Sequence, residues 1–178
     1  YGFFYSFEPN SDLDVLTVDL GKRFAGIDIS LKPYSSCRGT HQPIELAQTF
    51  FREGLKAGEI DQVIVKCCDE CYRIVGQPID AKRKPRNLVE ANFSTPFTVA
   101  TALVKGDVFI DQMNEETVKD PQILDLAQCV TPVVDPDREI MGRAVGSVVM
   151  EVRTKDGRLL SKESKFPKGS PENPLSLD

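Results

Sequence analysis

Apolar residues alternate with polar ones in two registers along this chain, and the change from one register to the other marks out its elements. Leu13, Leu16, Leu20 and Phe24 recur at helical spacing, which predicts a helix over residues 12–24, with Ser11 as its cap and Gly21 as a stop. Ile27, Ile29 and Leu31 then alternate on one face, predicting a half-buried strand over 26–31. Ile44, Ala47, Phe51 and Leu55 line one side of a second helix running from Thr40 to near Gly58. The Val- and Ile-rich stretch 60–67 reads as a strand. Residues 67–86 carry Gly76, Pro78, Pro85 and the basic run Lys82-Arg83-Lys84 with little periodicity, and read as a long irregular loop.

The second half of the chain gives clearer signals. Ser94 caps a predicted helix over 94–104, with Pro96 in its first turn, Phe97, Ala100, Leu103 and Val104 facing the core, and Gly106 ending it. Two short helices follow over 115–119 and 121–127. Strands are predicted over 130–134 and 147–154, and Asp156-Gly157 marks a hairpin with a return strand over 158–164. The tail after Lys165, rich in Pro, Gly and Ser, reads as extended. These elements predict an α+β fold, with a small mixed or antiparallel sheet of four to five strands and helices packed on one face.

With 178 residues the chain is long enough for one domain with a real core. Its net charge of −5 argues against a general nucleic-acid binder, and no apolar run approaches the ~20 residues that span a membrane. Five cysteines, an odd number without framework spacing, point to a reducing, cytoplasmic setting. Cys67, Cys68 and Cys71 form C-C-x-x-C. A zinc site would need a fourth ligand, and a redox pair would need a helix starting at the first cysteine. Tyr72-Arg73-Ile74-Val75 reads as extended, so these thiols are expected to be inert, and no metal site is expected.

The stretch with most chemistry is Ser30 to Pro43, which holds Lys32, Arg38 and His41, the only histidine of the chain. Thr40 is placed to cap the helix that follows, and Pro43 falls in its first turn, where a missing N–H costs nothing. A helix tip beside three potentially positive side chains suits a small anion with several carboxylates. Lys32 would hold a carboxylate and offset charge developing on it, Arg38 would grip a second in bidentate fashion, and His41 would relay a proton or donate a hydrogen bond. The bland alternatives are a surface lysine, a surface ion pair and a solvated histidine in the first turn of a helix.

The segment Lys-Pro-Tyr-Ser-Ser-Cys-Arg-Gly-Thr-His over 32–41 resembles the MmgE/PrpD superfamily. Gly2-Phe3-Phe4, the run Glu-Ala-Asn-Phe-Ser-Thr-Pro-Phe-Thr-Val-Ala over 90–100, and the run Phe-Pro-Lys-Gly-Ser-Pro-Glu-Asn-Pro-Leu-Ser over 166–176 match the same pattern in the same order. The resemblance implies an excised C-terminal, or lid, domain spanning 1–178, with a helical domain of the same protein absent. It implies a lyase that dehydrates a 2-methylcitrate-like di- or tricarboxylate, as in propionate metabolism, without a cofactor, and a homodimer. In a eukaryote the mitochondrial matrix is the alternative compartment. An epimerase of an amino- or imino-dicarboxylate within the same superfamily, and a non-catalytic metabolite-binding module, are the competing readings. By the same resemblance Lys32, His41 and Tyr72 are the catalytic candidates, while Arg38, Cys37 and Thr40 are the substrate-binding ones. Cys37 stands where members that decarboxylate cis-aconitate carry histidine, which turns the expectation away from that activity.

Overall fold

The computed structural model describes residues 2–8, 10–24, 26 and 29–176. The chain divides into two compact units, Tyr1–Ser30 and Leu31–Asp178. In the first, Phe3–Phe7 form a short helix, α1, on which the Phe3 ring lies 5.5 Å from Phe4 and 4.8 Å from Phe7. The helix expected over 12–24 reduces to one 3-10 turn, Leu13–Leu16, capped by Asp12 rather than Ser11. Thr17 and Val18, which follow it, and Val15 within it are β-branched and weak helix formers. Leu13, Leu16, Leu20 and Phe24 are exposed, so burial does not make up the deficit. The strand expected over 26–31 falls partly outside the described residues, and its described positions are not in a strand.

The second unit carries the sheet. Helix α2 spans His41–Arg52 and leads to strand β1, Ile60–Cys67. A helical crossover follows: α3 (Asp69–Cys71) running into a π-helical turn Tyr72–Gly76, then α4 (Ile79–Arg83), α5 (Leu88–Asn92), α6 (Thr95–Lys105), α7 (Glu115–Val118) and α8 (Pro121–Gln128). Strands β2 (Val130–Val134), β3 (Val148–Thr154) and β4 (Leu159–Ser164) complete the sheet in the order β2-β1-β3-β4. The β1–β2 pair is parallel and the others antiparallel, giving the four-stranded mixed sheet of an α+β fold.

Register explains which face is covered. Val130, Val63, Val152 and Leu160 form one cross-strand row, and Pro132, Val65, Met150 and Lys162 the next. These rows meet α2, α6 and α8, and β1 alternates buried and half-buried residues accordingly. Helix α6 lies at the centre, with every residue from Thr95 to Leu103 buried. Ser94 caps it as expected, accepting from the Phe97 N–H at 3.0 Å, and Gly106 ends it in the left-handed conformation. On α2 the inward aromatic is Phe50 rather than Phe51, and the helix stops at Arg52, before the buried Leu55.

The segment 67–86 is mostly helical, against the expectation of a loop. Two residues of its basic run, Lys82 and Arg83, are half-buried and bonded to the chain, while Lys84 is exposed. Lys82 Nζ donates to the carbonyls of Ile74 (2.8 Å) and Phe93 (2.7 Å). The Arg83 guanidinium donates to the Val130 carbonyl and to Thr131 Oγ1 at the outer edge of β2. Both cations satisfy main-chain oxygens that the sheet and helices leave open.

Candidate functional site

Leu31 to Thr40 forms an arch in front of α2, pinned at three places. The Leu31 N–H donates to the Gly169 carbonyl at 2.8 Å, Ser35 N–H to the Val108 carbonyl at 3.1 Å, and Cys37 N–H to the Asn92 carbonyl at 2.9 Å. Gly169 has a φ of +86°, and a Cβ there would stand 2.3 Å from the Leu31 carbonyl oxygen, so only glycine lets the tail loop approach the arch. Gly39 plays a similar part lower down. A Cβ at that position would lie 3.3 Å from both Cys71 Sγ and Val75 Cγ2, so the arch rests directly on the turn that carries Tyr72.

The helix begins earlier than expected. Arg38–Thr40 already forms a 3-10 turn that runs into α2, and Thr40 has helical backbone angles. Its hydroxyl therefore does not cap α2, contrary to expectation. It lies 2.8 Å from both Ser36 Oγ and the Cys37 carbonyl, and the side chain is fully buried. Cys37, half-buried, stands in the capping position of the 3-10 turn with extended backbone and no side-chain cap.

Two of the predicted groups converge on one atom. The Ser36 carbonyl oxygen lies 3.5 Å from Lys32 Nζ and 3.4 Å from His41 Nε2. That places the ammonium and the imidazole no more than about 7 Å apart. Arg38 is next to them, its guanidinium donating to the Leu31 carbonyl at 2.8 Å. Lys32 is exposed and Arg38 half-buried, so cationic groups of both kinds face outward from the arch over a buried imidazole.

His41 is not the solvated residue of the bland reading. It is 0% exposed, with its ring edge-on to Tyr34 at 5.2 Å. Because a carbonyl only accepts, Nε2 carries the proton and Nδ1 is a bare lone pair, and that Nδ1 is buried without a partner. Burial pushes the imidazole down to about 4; the Ser36 contact opposes this, and the positive charges of Arg38 and Lys32 add to it. At neutral pH the group is thus an uncharged base. The Tyr34 hydroxyl has its own partners, donating to Gln48 Oε1 at 2.9 Å while Gln48 donates to Asp107. Burial, with Glu45 and Asp107 nearby, raises the phenol well above its ordinary range.

Tyr72 is not brought to this point. It starts the π-helical turn, and its ring packs where a Cβ on Gly76 would be, with the Pro132 side chain next to it. Nothing joins it to Lys32, Arg38 or His41 among the described contacts. The cysteine cluster differs in another way from expectation, since Cys68 does stand immediately before a helix, α3. All five cysteines are free thiols. Burial, followed by the neighbouring thiols, pushes Cys67 up to about 12 and raises Cys71 as well, which leaves them unreactive. The Ser36 carbonyl acts through main chain and carries no signal in side-chain pattern; Gly169 lies in the 166–176 run, but its contact with Leu31 could not be read from it.

The model of the MmgE/PrpD C-terminal domain matches residues 34–178, and the chain belongs to that family. No curated protein sequence matches the chain. Among the described residues, no helix is long and apolar enough to cross a membrane.

Proposed function

We propose that the chain is the lid domain of a lyase that dehydrates a small di- or tricarboxylate of the 2-methylcitrate type. The observation that carries this reading is the meeting of Lys32 and His41 on the Ser36 carbonyl, with Arg38 alongside, in a domain of the MmgE/PrpD type. In the proposed reaction a base removes the proton on the carbon next to a carboxylate, the C–O bond on the neighbouring carbon breaks, and the departing hydroxide takes a proton and leaves as water. Negative charge builds on the carboxylate in the first part of that process. Lys32 is assigned to that carboxylate and Arg38 to a second one, where fixed cations in a dry site are worth most. His41, uncharged at neutral pH, is assigned a proton-relay role: its Nε2–H holds the arch through Ser36, and its buried Nδ1 does not meet substrate directly. Tyr72 is kept as a catalytic candidate on the family resemblance alone, since its ring packs beside Gly76 and Pro132. Cys37 and Thr40 shape the floor of the arch. Remaining catalytic groups are assigned to a helical domain of the same protein, so this chain by itself is expected to be inactive; the whole protein is proposed to work as a cytoplasmic dimer.

The test is turnover by the full-length protein on 2-methylcitrate, followed through the ultraviolet absorbance of the unsaturated product. Lys32→Ala is expected to lower kcat/KM by at least about a hundredfold, the scale of losing a charge that stabilises the transition state. Unchanged turnover in that variant refutes the reading. Interconversion of amino- or imino-dicarboxylate epimers without loss of water would favour the epimerase reading, since both reactions begin by removing an α-proton.

A further inference from the structure

One hydrogen bond does not fix the imidazole of His41. Its only hydrogen-bond partner among the described residues is the Ser36 carbonyl, at 3.4 Å, longer than a well-made N–H···O bond. A ring held by one long contact turns about its Cβ–Cγ bond unless its surroundings are packed. Tyr34 supplies that packing: it is 6% exposed, and its ring meets the imidazole edge-on, with 84° between the planes. What holds Tyr34 lies outside the arch. Its hydroxyl donates at 2.9 Å to Oε1 of Gln48, a half-buried residue of α2 about two turns beyond His41. Gln48 Nε2 donates at 2.9 Å to Oδ1 of Asp107, just past the end of α6. The same oxygen accepts from the Val108 N–H at 2.8 Å, and the Val108 carbonyl accepts from the Ser35 N–H at 3.1 Å. The path thus returns to the arch one residue after leaving it.

This closed circuit has a fixed polarity. The Asp107 carboxylate only accepts, so Gln48 turns its NH2 group to it and its carbonyl oxygen to Tyr34, and the phenol must donate. A glutamate at 48 would set a second carboxylate against Asp107, and an apolar side chain would lose both bonds. The residue that follows the clamped pair is Ser36, whose carbonyl is where Lys32 and His41 meet. We propose that Gln48 is a positioning residue. Through Asp107 it holds Tyr34 by the side chain and Ser35 by the main chain, and so sets the plane of the His41 ring and the direction of the Ser36 carbonyl without touching substrate. Its effect on turnover rests on the relay role proposed for His41; its effect on the imidazole does not.

Gln48→Met, close to glutamine in volume, tests this on the whole chain, with the ring nitrogens of the single histidine as the readout. The native chain is expected to show the Nε2–H tautomer alone. In Gln48→Met that signal should shift and lose intensity, with a second set from the Nδ1–H tautomer appearing at neutral pH, and Gln48→Glu should do the same. Tyr34→Phe keeps the ring but drops its tether, so the signals should move the same way, and this variant decides if the Gln48 variants do not fold. Leu126→Ala, a cavity in α8 away from the arch, should leave the ring signals native. Native ring signals in a folded Gln48→Met protein overturn the proposal, and so do equal shifts in Leu126→Ala, since the ring would then follow stability alone. In the full-length protein Gln48→Met should lower kcat on 2-methylcitrate by about tenfold, with KM changed by less than about threefold; a loss confined to KM also overturns it. A native full-length protein that dehydrates no carboxylate overturns the lyase reading instead, and the ring signals then decide the role of Gln48 by themselves.

Discussion

Lowering the pH should weaken this fold through one residue, and the size of the effect follows from where that residue sits. His41 is wholly buried, and its imidazole is held down at about 4, chiefly by burial, with Arg38 and Lys32 adding to it. In the unfolded chain it titrates near 6.5. Between those values the unfolded chain binds the proton and the folded chain does not, so stability is complete above about pH 6.5, falls as the pH drops, and levels off below about 4. The full span is about 3 kcal/mol, and the step from pH 7 to pH 5 takes about 2 kcal/mol. Because the chain has a single histidine, its ring nitrogens give one unambiguous set of signals in ¹⁵N-edited spectra. Those signals should show the Nε2–H tautomer and hold unchanged from pH 8 to about 5. Urea unfolding of the native chain and of His41→Gln should then diverge: carboxylates contribute equally to both, and the native chain alone loses the additional ~2 kcal/mol by pH 5. An imidazole that titrates near 6.5, or two variants with parallel pH profiles, would refute the placement of His41.

Three further outcomes follow from the packing. Ser94→Ala removes the cap of the central helix and a donor to the Lys82 carbonyl, and should cost about 1–2 kcal/mol in urea unfolding. Arg83→Met leaves the Val130 carbonyl and Thr131 without their donor, and should cost about 1–3 kcal/mol, with faster amide exchange along β2. Gly39→Ala presses a methyl against Cys71 and Val75. It should cost about 1–3 kcal/mol and shift the amides of Cys37 to His41, whereas an equally stable protein with an unmoved arch would contradict the close contact.

Much of the second unit was legible from spacing. The β3–β4 hairpin turns at Gly157, φ +89°, where Asp-Gly predicted it, and α6 keeps its Ser cap and Gly stop. These features depend on local backbone chemistry, which side chains advertise. Three other features were hidden for physical reasons. Phe50 and Phe51 are both consistent with a helical stripe, and only the position of the sheet selects Phe50. The crossover 68–92 is built from short helices tied by Lys82 and Arg83 to main-chain oxygens, and such ties leave no periodic trace. His41 could be placed at the helix start but not inside the core, because its burial comes from Tyr34 and from the arch folding back through Ser36. Lys32 and His41 could be named from the sequence, as could Tyr72, which lies elsewhere; the backbone carbonyl on which the first two meet could not.

The central claim is that the arch grips a multiply charged acid with Lys32 and Arg38. Calorimetric titration of tricarballylate, an unreactive tricarboxylate, into the full-length protein tests it most directly. The account predicts saturable binding that weakens with added salt and drops by at least about tenfold in Lys32→Met and again in Arg38→Met. Equal affinity in the native protein and in both variants would contradict it.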